Sequence, residues 1–86
     1  MSYFSKDKID QIWEKAEEVP GKNPNLYRKD ELGNLIYKPS YGKHSEMGWE
    51  VDHKKPKAKG GTDNLRNLRP LGTEANRSKG DKYPHD

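Results

Sequence analysis

The sequence predicts a small α+β domain with a helix, a hairpin and then a strand–loop–strand–helix segment. Three observations support this: a helical apolar repeat near the N-terminus, two pairs of short strand-forming segments, and a capped final helix. With 86 residues, 28% hydrophobic and 36% charged, the chain can build only one small core. Without cysteine it has no disulfide and no cysteine-ligated zinc, so we predict one domain, residues 1–86, that a metal with oxygen and nitrogen ligands would help to stabilise.

The N-terminal segment predicts an amphipathic helix. Ser5 can cap it, and Pro20 stops it after Val19 because proline cannot continue the hydrogen-bond ladder. Its apolar residues recur at helical spacing: Ile9, Ile12, Trp13, Ala16 and Val19. We expect this helix to cover the core, with use as a partner-binding helix as the alternative.

Short strands are predicted at 26–28 and 35–37, on either side of a tight reversal at 30–34. Within that hairpin we expect Arg28 to pair with Asp30, with a phosphate contact as the alternative. We expect the whole segment 1–47 to support the part of the chain that follows.

The second half predicts two strands, 49–51 and 68–71, joined by a polar loop from Lys54 to Asp63. Pro56 blocks extension of the first strand, and Gly60-Gly61 permits a sharp turn. The last element is a short helix that Thr73 can cap, running to Lys79 and stopped by Gly80.

Charge is distributed unevenly along the chain. Residues 1–50 carry eight Lys/Arg and nine Asp/Glu, a net charge of −1, whereas residues 51–86 carry nine and five, a net charge of +4. A basic second half suits a polyanionic partner, and a solvated basic surface is the alternative. No apolar run could span a bilayer and no secretory signal opens the chain, so we expect a cytoplasmic protein unless the chain is cut from a larger exported one.

The residues that could carry chemistry lie between Trp49 and Asp81. Cleavage of a phosphodiester requires an activated water, charge stabilisation on the phosphate and help for the leaving oxygen. Asp52 and Asn76 offer hard oxygen ligands that suit Mg²⁺ or Mn²⁺, and His53 can accept a proton near neutral pH. Adjacent residues of a regular strand point to opposite faces, so Asp52 and His53 share a site only if the strand ends or bulges there.

Several spaced elements of this stretch occur in one order: Asp52-His53, Pro56, Gly60-Gly61, Asn67-Leu68 and the run Asn76–Asp81. Together, over residues 48–82, they resemble the motif of the HNH endonuclease family in its His-Asn-Asn form, as found in small free-standing bacterial or phage members. The resemblance implies that residues 48–82 fold as a ββα-metal (His-Me finger) unit, preceded by the N-terminal helix and the short hairpin.

The resemblance also implies roles for four residues. His53 corresponds to the general base, Asp52 and Asn76 to ligands of one divalent metal ion, and Asn67 to the residue that ties the loop so that His53 is held in position. Asn76 stands where colicin-type relatives have histidine, which favours Mg²⁺ or Mn²⁺ over Zn²⁺ or Ni²⁺. Three of these residues also have a structural alternative: Asp52 as a strand-end cap, His53 as a surface histidine and Asn67 as a turn residue.

Cationic side chains near the motif are candidate DNA contacts. They are Arg77 and Lys79 in the last helix, and Lys54, Lys55 and Lys57 in the loop. Plain surface charge is the alternative for Arg77 and Lys79, and we expect the lysines of the loop to attract phosphate diffusely rather than to make specific contacts. We therefore predict a metal-dependent endonuclease acting on DNA, nicking or weakly sequence-specific, whose role would fit a larger phage or restriction assembly. The alternatives are a nucleic-acid-binding module that does not cut and a toxin domain with an immunity partner.

Overall fold

The computed structural model describes residues 4–79. Two helices and five strands follow one another: α1 (Lys6–Trp13), β1 (Glu17–Glu18), β2 (Tyr27–Lys29), β3 (Leu35–Tyr37), β4 (Trp49–His53), β5 (Leu68–Gly72) and α2 (Thr73–Lys79). Strands β1-β2-β3 form one antiparallel sheet and β4-β5 another. The predicted α+β class is confirmed, with β4, β5 and α2 as its ββα unit.

Helix α1 begins as predicted but ends earlier. The Ser5 side chain accepts the Lys8 backbone N–H, which is the predicted cap. The helix stops at Trp13 rather than Val19, and Glu17 and Glu18 instead pair with β2. The cause is tertiary, because the Arg28 guanidinium binds the carbonyl oxygens of Glu14 and Ala16 just beyond the helix.

The predicted pairing of Arg28 with Asp30 is wrong. Arg28 contacts the Pro24 carbonyl oxygen and lies 3.8 Å from the Glu18 carboxylate. Asp30 is buried, and one of its oxygens accepts the Gly72 backbone N–H at 2.8 Å. Asp30 therefore joins the β2–β3 hairpin to the point where β5 passes into α2.

Buried apolar side chains form two clusters beneath α1. One contains Trp13, Ala16, Ile36 and Trp49, and the other contains Phe4, Ile12 and Leu68. The rings of Trp13 and Trp49 lie 5.1 Å apart, so α1 packs directly on β4. None of the helices within residues 4–79 is long and apolar enough to cross a membrane.

The β4–β5 pair is regular along its whole length. Its register runs from Trp49 opposite Gly72 to His53 opposite Leu68, without a bulge. Because side chains alternate along a strand, Trp49, Val51 and His53 face α1, whereas Glu50 and Asp52 face α2. Helix α2 covers Thr73–Lys79, so Thr73 is its first residue rather than its cap, and the Thr73 hydroxyl donates to the Lys43 carbonyl oxygen. The predicted stop at Gly80 lies outside the part of the chain that the structure describes.

Candidate active site

His53 is the last residue of β4 and is held by a carboxylate from the following loop. Its ring nitrogen Nε2 lies 2.7 Å from Asp63 Oδ1, and its side chain is 16% exposed. The Phe4 ring lies 6.1 Å away, between centroids, on the α1 side. Within residues 4–79, no group hydrogen-bonds to the other ring nitrogen, Nδ1. Asp63 thus engages Nε2, and Nδ1 is left to accept a proton.

Asn67 closes the loop that follows β4. Its Oδ1 accepts the Lys55 backbone N–H at 2.8 Å, while its Nδ2 donates to the carbonyl oxygens of Lys55 and Thr62. The loop also needs glycine at position 61, where a Cβ would lie 1.7 Å from the Lys55 carbonyl oxygen. One side chain and one glycine therefore fix the path of the loop between His53 and Asp63.

Asp63 was not predicted as a site residue. Besides His53, it contacts Lys57, whose Nζ lies 3.3 Å from Oδ2. The hydrogen bond with His53 lowers the pKa of the Asp63 carboxyl below its usual value, and Lys57 lowers it further while burial opposes the change. The only sequence signal for Asp63 was its place behind Gly60-Gly61 in a loop that returns toward β4.

Asp52 is buried on the opposite side of β4, 3% exposed, between two cations. Arg69 Nε lies 2.7 Å from Oδ2, and Lys79 Nζ lies 3.2 Å from Oδ1. Burial alone would lower the pKa of Arg69, but its hydrogen bonds to Asp52 and Glu31 outweigh this and raise it. The carboxylate is thus fully paired within the protein.

Asn76 lies on the face of α2 that covers β4, where its partner is Glu50. Asn76 Nδ2 donates to Glu50 Oε1 at 2.8 Å, and Arg77 lies 3.4 Å from the other Glu50 oxygen. Glu50 was not predicted either. Its signal was present in the sequence, because residues 50 and 52 must share a face of any strand that contains them.

The structure does not place Asp52 and His53 on one face. The strand ends at His53, as the shared site required, but it stays regular up to that residue and the two side chains diverge. The closest link between them is Lys79, whose Nζ contacts Asp52 Oδ1 and, at 3.1 Å, the His53 carbonyl oxygen. The two faces therefore meet only at the end of the strand.

The predicted DNA contacts occupy different settings. Lys79 is 2% exposed and paired with Asp52, so it is buried, whereas a DNA contact was expected to lie at the surface. Lys57 is half-exposed and paired with Asp63, and Arg77 is exposed and paired with Glu50. Lys54 and Lys55 have no ion-pair partner among residues 4–79. An open groove beside Glu50, Asn76 and Arg77 leads away from the α2 face.

The polar side chains between β4 and α2 have the chemistry of ligands for a hard divalent cation. Glu50, Asp52 and Asn76 all offer oxygen, the donor that Mg²⁺ and Mn²⁺ prefer. Two oxygens bound at right angles to Mg²⁺, each about 2.1 Å from it, lie about 3.0 Å apart. Glu50 Oε1 and the Asn76 amide are 2.8 Å apart, and rotating the amide by 180° exchanges its nitrogen for its oxygen.

That fit is limited by the cations already present. Residues 4–79 contain no group of three or more His, Cys, Asp or Glu side chains arranged to hold a metal. A metal at Asp52 would share the carboxylate with Arg69 and Lys79, and the positive charges of both would oppose its binding.

Comparison with known proteins gives one finding for this chain. A family model described as HNH endonuclease matches residues 40–82, which is half of the sequence and includes β4, β5 and α2. No curated protein and no solved structure matches. On the strength of the family match, the chain belongs to the HNH endonuclease family.

Proposed function

We propose that this protein is a metal-dependent endonuclease that hydrolyses phosphodiester bonds in DNA. The observation that carries the proposal is the setting of His53 in a chain of the HNH endonuclease family. His53 lies at the end of a strand, and one of its ring nitrogens is held by Asp63. The basic balance of residues 51–86 supports a nucleic acid as the substrate. Segment 48–82 is the nuclease unit in this proposal, and residues 1–47 support it.

His53 acts as the general base. With Nε2 donating its hydrogen to Asp63, the lone pair of a neutral imidazole is on Nδ1, the nitrogen that no residue within 4–79 engages. Nδ1 removes a proton from the water that attacks phosphorus. Asn67 is a positioning residue here, because its three bonds fix the loop that carries Asp63.

Asp52 and Asn76 would hold the divalent metal, Mg²⁺ or Mn²⁺, with Glu50 as a further oxygen donor beside Asn76. When bound, the metal supplies positive charge that stabilises the phosphate and the leaving oxygen. Lys54, Lys55 and Arg77 attract the DNA backbone, and Lys57 adds to this from the loop. Lys79 acts on DNA only indirectly, by holding Asp52 and the end of β4.

The test is plasmid cleavage by the purified protein with Mg²⁺ or Mn²⁺. We expect nicking that His53→Ala reduces by about 10²–10⁴-fold, since a general base contributes that much. His44→Ala is the matched control, because His44 also lies 2.7 Å from a carboxylate, that of Glu74, but is exposed and lies outside the strands. Absence of nicking with either metal, or full activity of His53→Ala, would overturn the proposal.

A nucleic-acid-binding module that does not cut is the second candidate. The observation in its favour is Asp52, both of whose oxygens are paired with cations of the protein. It predicts that DNA binds with no cleavage under any divalent metal, and that titration calorimetry detects no metal binding. Metal binding that Asn76→Ala weakens would argue against it.

A further inference from the structure

The carboxylate of Asp63 has one partner on each oxygen. His53 Nε2 lies 2.7 Å from Oδ1, and Lys57 Nζ lies 3.3 Å from Oδ2. With one oxygen held by a cation, the other keeps a fixed direction toward the imidazole. A carboxylate in this position makes Nε2 the protonated nitrogen of the neutral ring and limits rotation of the ring.

The backbone at Asp63 is held from two sides. Lys8, in α1, donates from Nζ to the Asp63 carbonyl oxygen at 2.6 Å. Asn67 donates to the adjacent Thr62 carbonyl oxygen at 2.8 Å. The first bond joins residues 55 positions apart, so it links the N-terminal helix directly to the loop that holds His53.

Helix α1 makes further contacts with the same region. Ile12 packs against Leu68, and Lys15, two residues beyond the end of the helix, binds the carbonyl oxygens of Leu65 and Leu68 through its ammonium group. Leu68 is the residue directly opposite His53 in the β4–β5 pair. Helix α1 therefore fixes both the strand partner of His53 and the loop that carries its carboxylate, although it lies outside the segment 40–82 that the family model matches.

We infer that Asp63 is a positioning residue that sets the tautomer and direction of the His53 ring, and that Lys8 holds Asp63 in place from α1. The inference rests on the proposed role of His53 as the general base. A purely structural ion pair is the competing explanation. Because the Asp63 side chain is 41% exposed, such a pair would contribute little to stability, and its loss would leave chemistry unchanged.

The first experiment compares Asp63→Ala with Glu74→Ala. Glu74 is a matched control, since its carboxylate also lies 2.7 Å from a histidine nitrogen but its partner, His44, has no part in the site. We expect Asp63→Ala to lower kcat for plasmid nicking by about 10–100-fold, with KM and Tm near the wild-type values, as found for groups that orient a reacting side chain. Glu74→Ala should leave kcat unchanged.

The second experiment observes His53 without relying on cleavage. Nitrogen-15 NMR of the imidazole at about pH 8.5, where an ordinary histidine is neutral, distinguishes the two tautomers. We expect wild-type His53 to be the Nε2–H tautomer and Asp63→Ala to give a mixture, while Asp63→Asn keeps the Nε2–H form because its amide oxygen still accepts. An unchanged tautomer in Asp63→Ala would overturn the inference, as would an unchanged kcat.

The contribution of α1 is tested by Lys8→Met, which keeps the aliphatic stem and removes the ammonium group. We expect a several-fold lower kcat and a partial shift of the His53 nitrogen signals toward those of Asp63→Ala. Lys6→Met, on the same helix, is the control, because Lys6 binds Asp10 and not the loop. Equal behaviour of the two variants would overturn the role of Lys8.

If the wild type does not cut DNA at all, the proposed function fails. The NMR comparison of wild type with Asp63→Ala still decides whether Asp63 sets the tautomer of His53.

Discussion

Two aspartates, one on each side of the β4–β5 pair, show how differently the motif uses its charges. Asp52, facing α2, is 3% exposed and bound by Arg69 and Lys79. Asp63, on the side of His53, is 41% exposed and bound by His53 and Lys57. Each carboxylate has two cationic or potentially cationic partners, but only the Asp52 carboxylate is removed from solvent.

The difference in burial separates stability from chemistry. A buried carboxylate between two cations must stay paired, because each charge left alone in the interior is costly. An exposed one contributes little to stability but can still direct its partner. We therefore expect changes on the α2 face to affect folding and metal binding most, and changes around His53 to affect kcat most.

The largest expected effect is the loss of Asp52. Asp52→Ala leaves the buried Lys79 without its anion and Arg69 with Glu31 as its remaining carboxylate, and breaking a buried ion pair in this way typically costs about 3–5 kcal/mol. Urea unfolding monitored by tryptophan fluorescence measures it, since Trp13 and Trp49 are both buried. Asp63→Ala should unfold near the wild-type urea concentration. Equal midpoints for Asp52→Ala and wild type would remove the basis of the comparison.

Asn67→Ala should have the next largest effect. It removes three hydrogen bonds that close the loop between His53 and Asp63, at a cost of about 1–3 kcal/mol. Because the loop carries Asp63, kcat should fall as well. Thermal unfolding and plasmid nicking measure the two effects. Asn23→Ala is a control, since Asn23 makes a comparable local bond to the Asn25 backbone away from the site. A stability loss no larger than that of the control would contradict the role given to Asn67.

A smaller effect is expected from Lys79→Gln. The glutamine amide can still donate to Asp52 or to the His53 carbonyl oxygen, but it no longer brings a positive charge to a carboxylate proposed as a metal ligand. We expect Mn²⁺ to bind about tenfold more tightly, equivalent to about 1.4 kcal/mol. Titration calorimetry measures this, with Lys57→Gln as the control on the other side of β4. Weaker binding in Lys79→Gln would show that Lys79 supports the metal site instead of competing with it.

The smallest effect concerns a third aspartate, Asp10, which lies half-buried on α1. Hydrogen bonds from Lys38 and then Lys6 lower the pKa of Asp10 below its usual value. A carboxyl whose pKa is lower in the folded state stabilises the fold above its unfolded-state pKa, about 3.9, and loses that contribution as pH falls through the folded-state value. Asp10→Asn should therefore melt slightly below wild type at neutral pH, and the two melting curves should converge in acid. A gap that widens on acidification would contradict this sign.

Apart from β1, whose residues were predicted as helix, the order of elements was predictable because each has a local signal. The Ser5 cap, the short hairpin, the return strand and the final helix all lie where residue type and spacing indicate. The end of α1 was missed because its cause, the Arg28 guanidinium on two carbonyl oxygens, is a tertiary contact that no local pattern encodes.

The candidate site was only partly predictable from the sequence, again because tertiary contacts determine much of it. Its principal residues follow the family motif, but their partners are spatial neighbours. Asp63 contacts His53 from ten residues further along the chain, and Lys79 contacts Asp52 from a different element, α2. Glu50 alone could have been found from sequence, because strand alternation places it beside Asp52 and under Asn76.

The ion pair of Lys79 with Asp52 has a consequence for how the protein is loaded. The ammonium group supplies, from within the chain, the positive charge that this carboxylate would otherwise take from a metal. We therefore expect the fold not to depend on the proposed metal: a chelator should abolish cleavage while leaving the fold intact. A fall in Tm on adding the chelator would instead support the metal-dependent stability that the small core and the lack of cysteine predict.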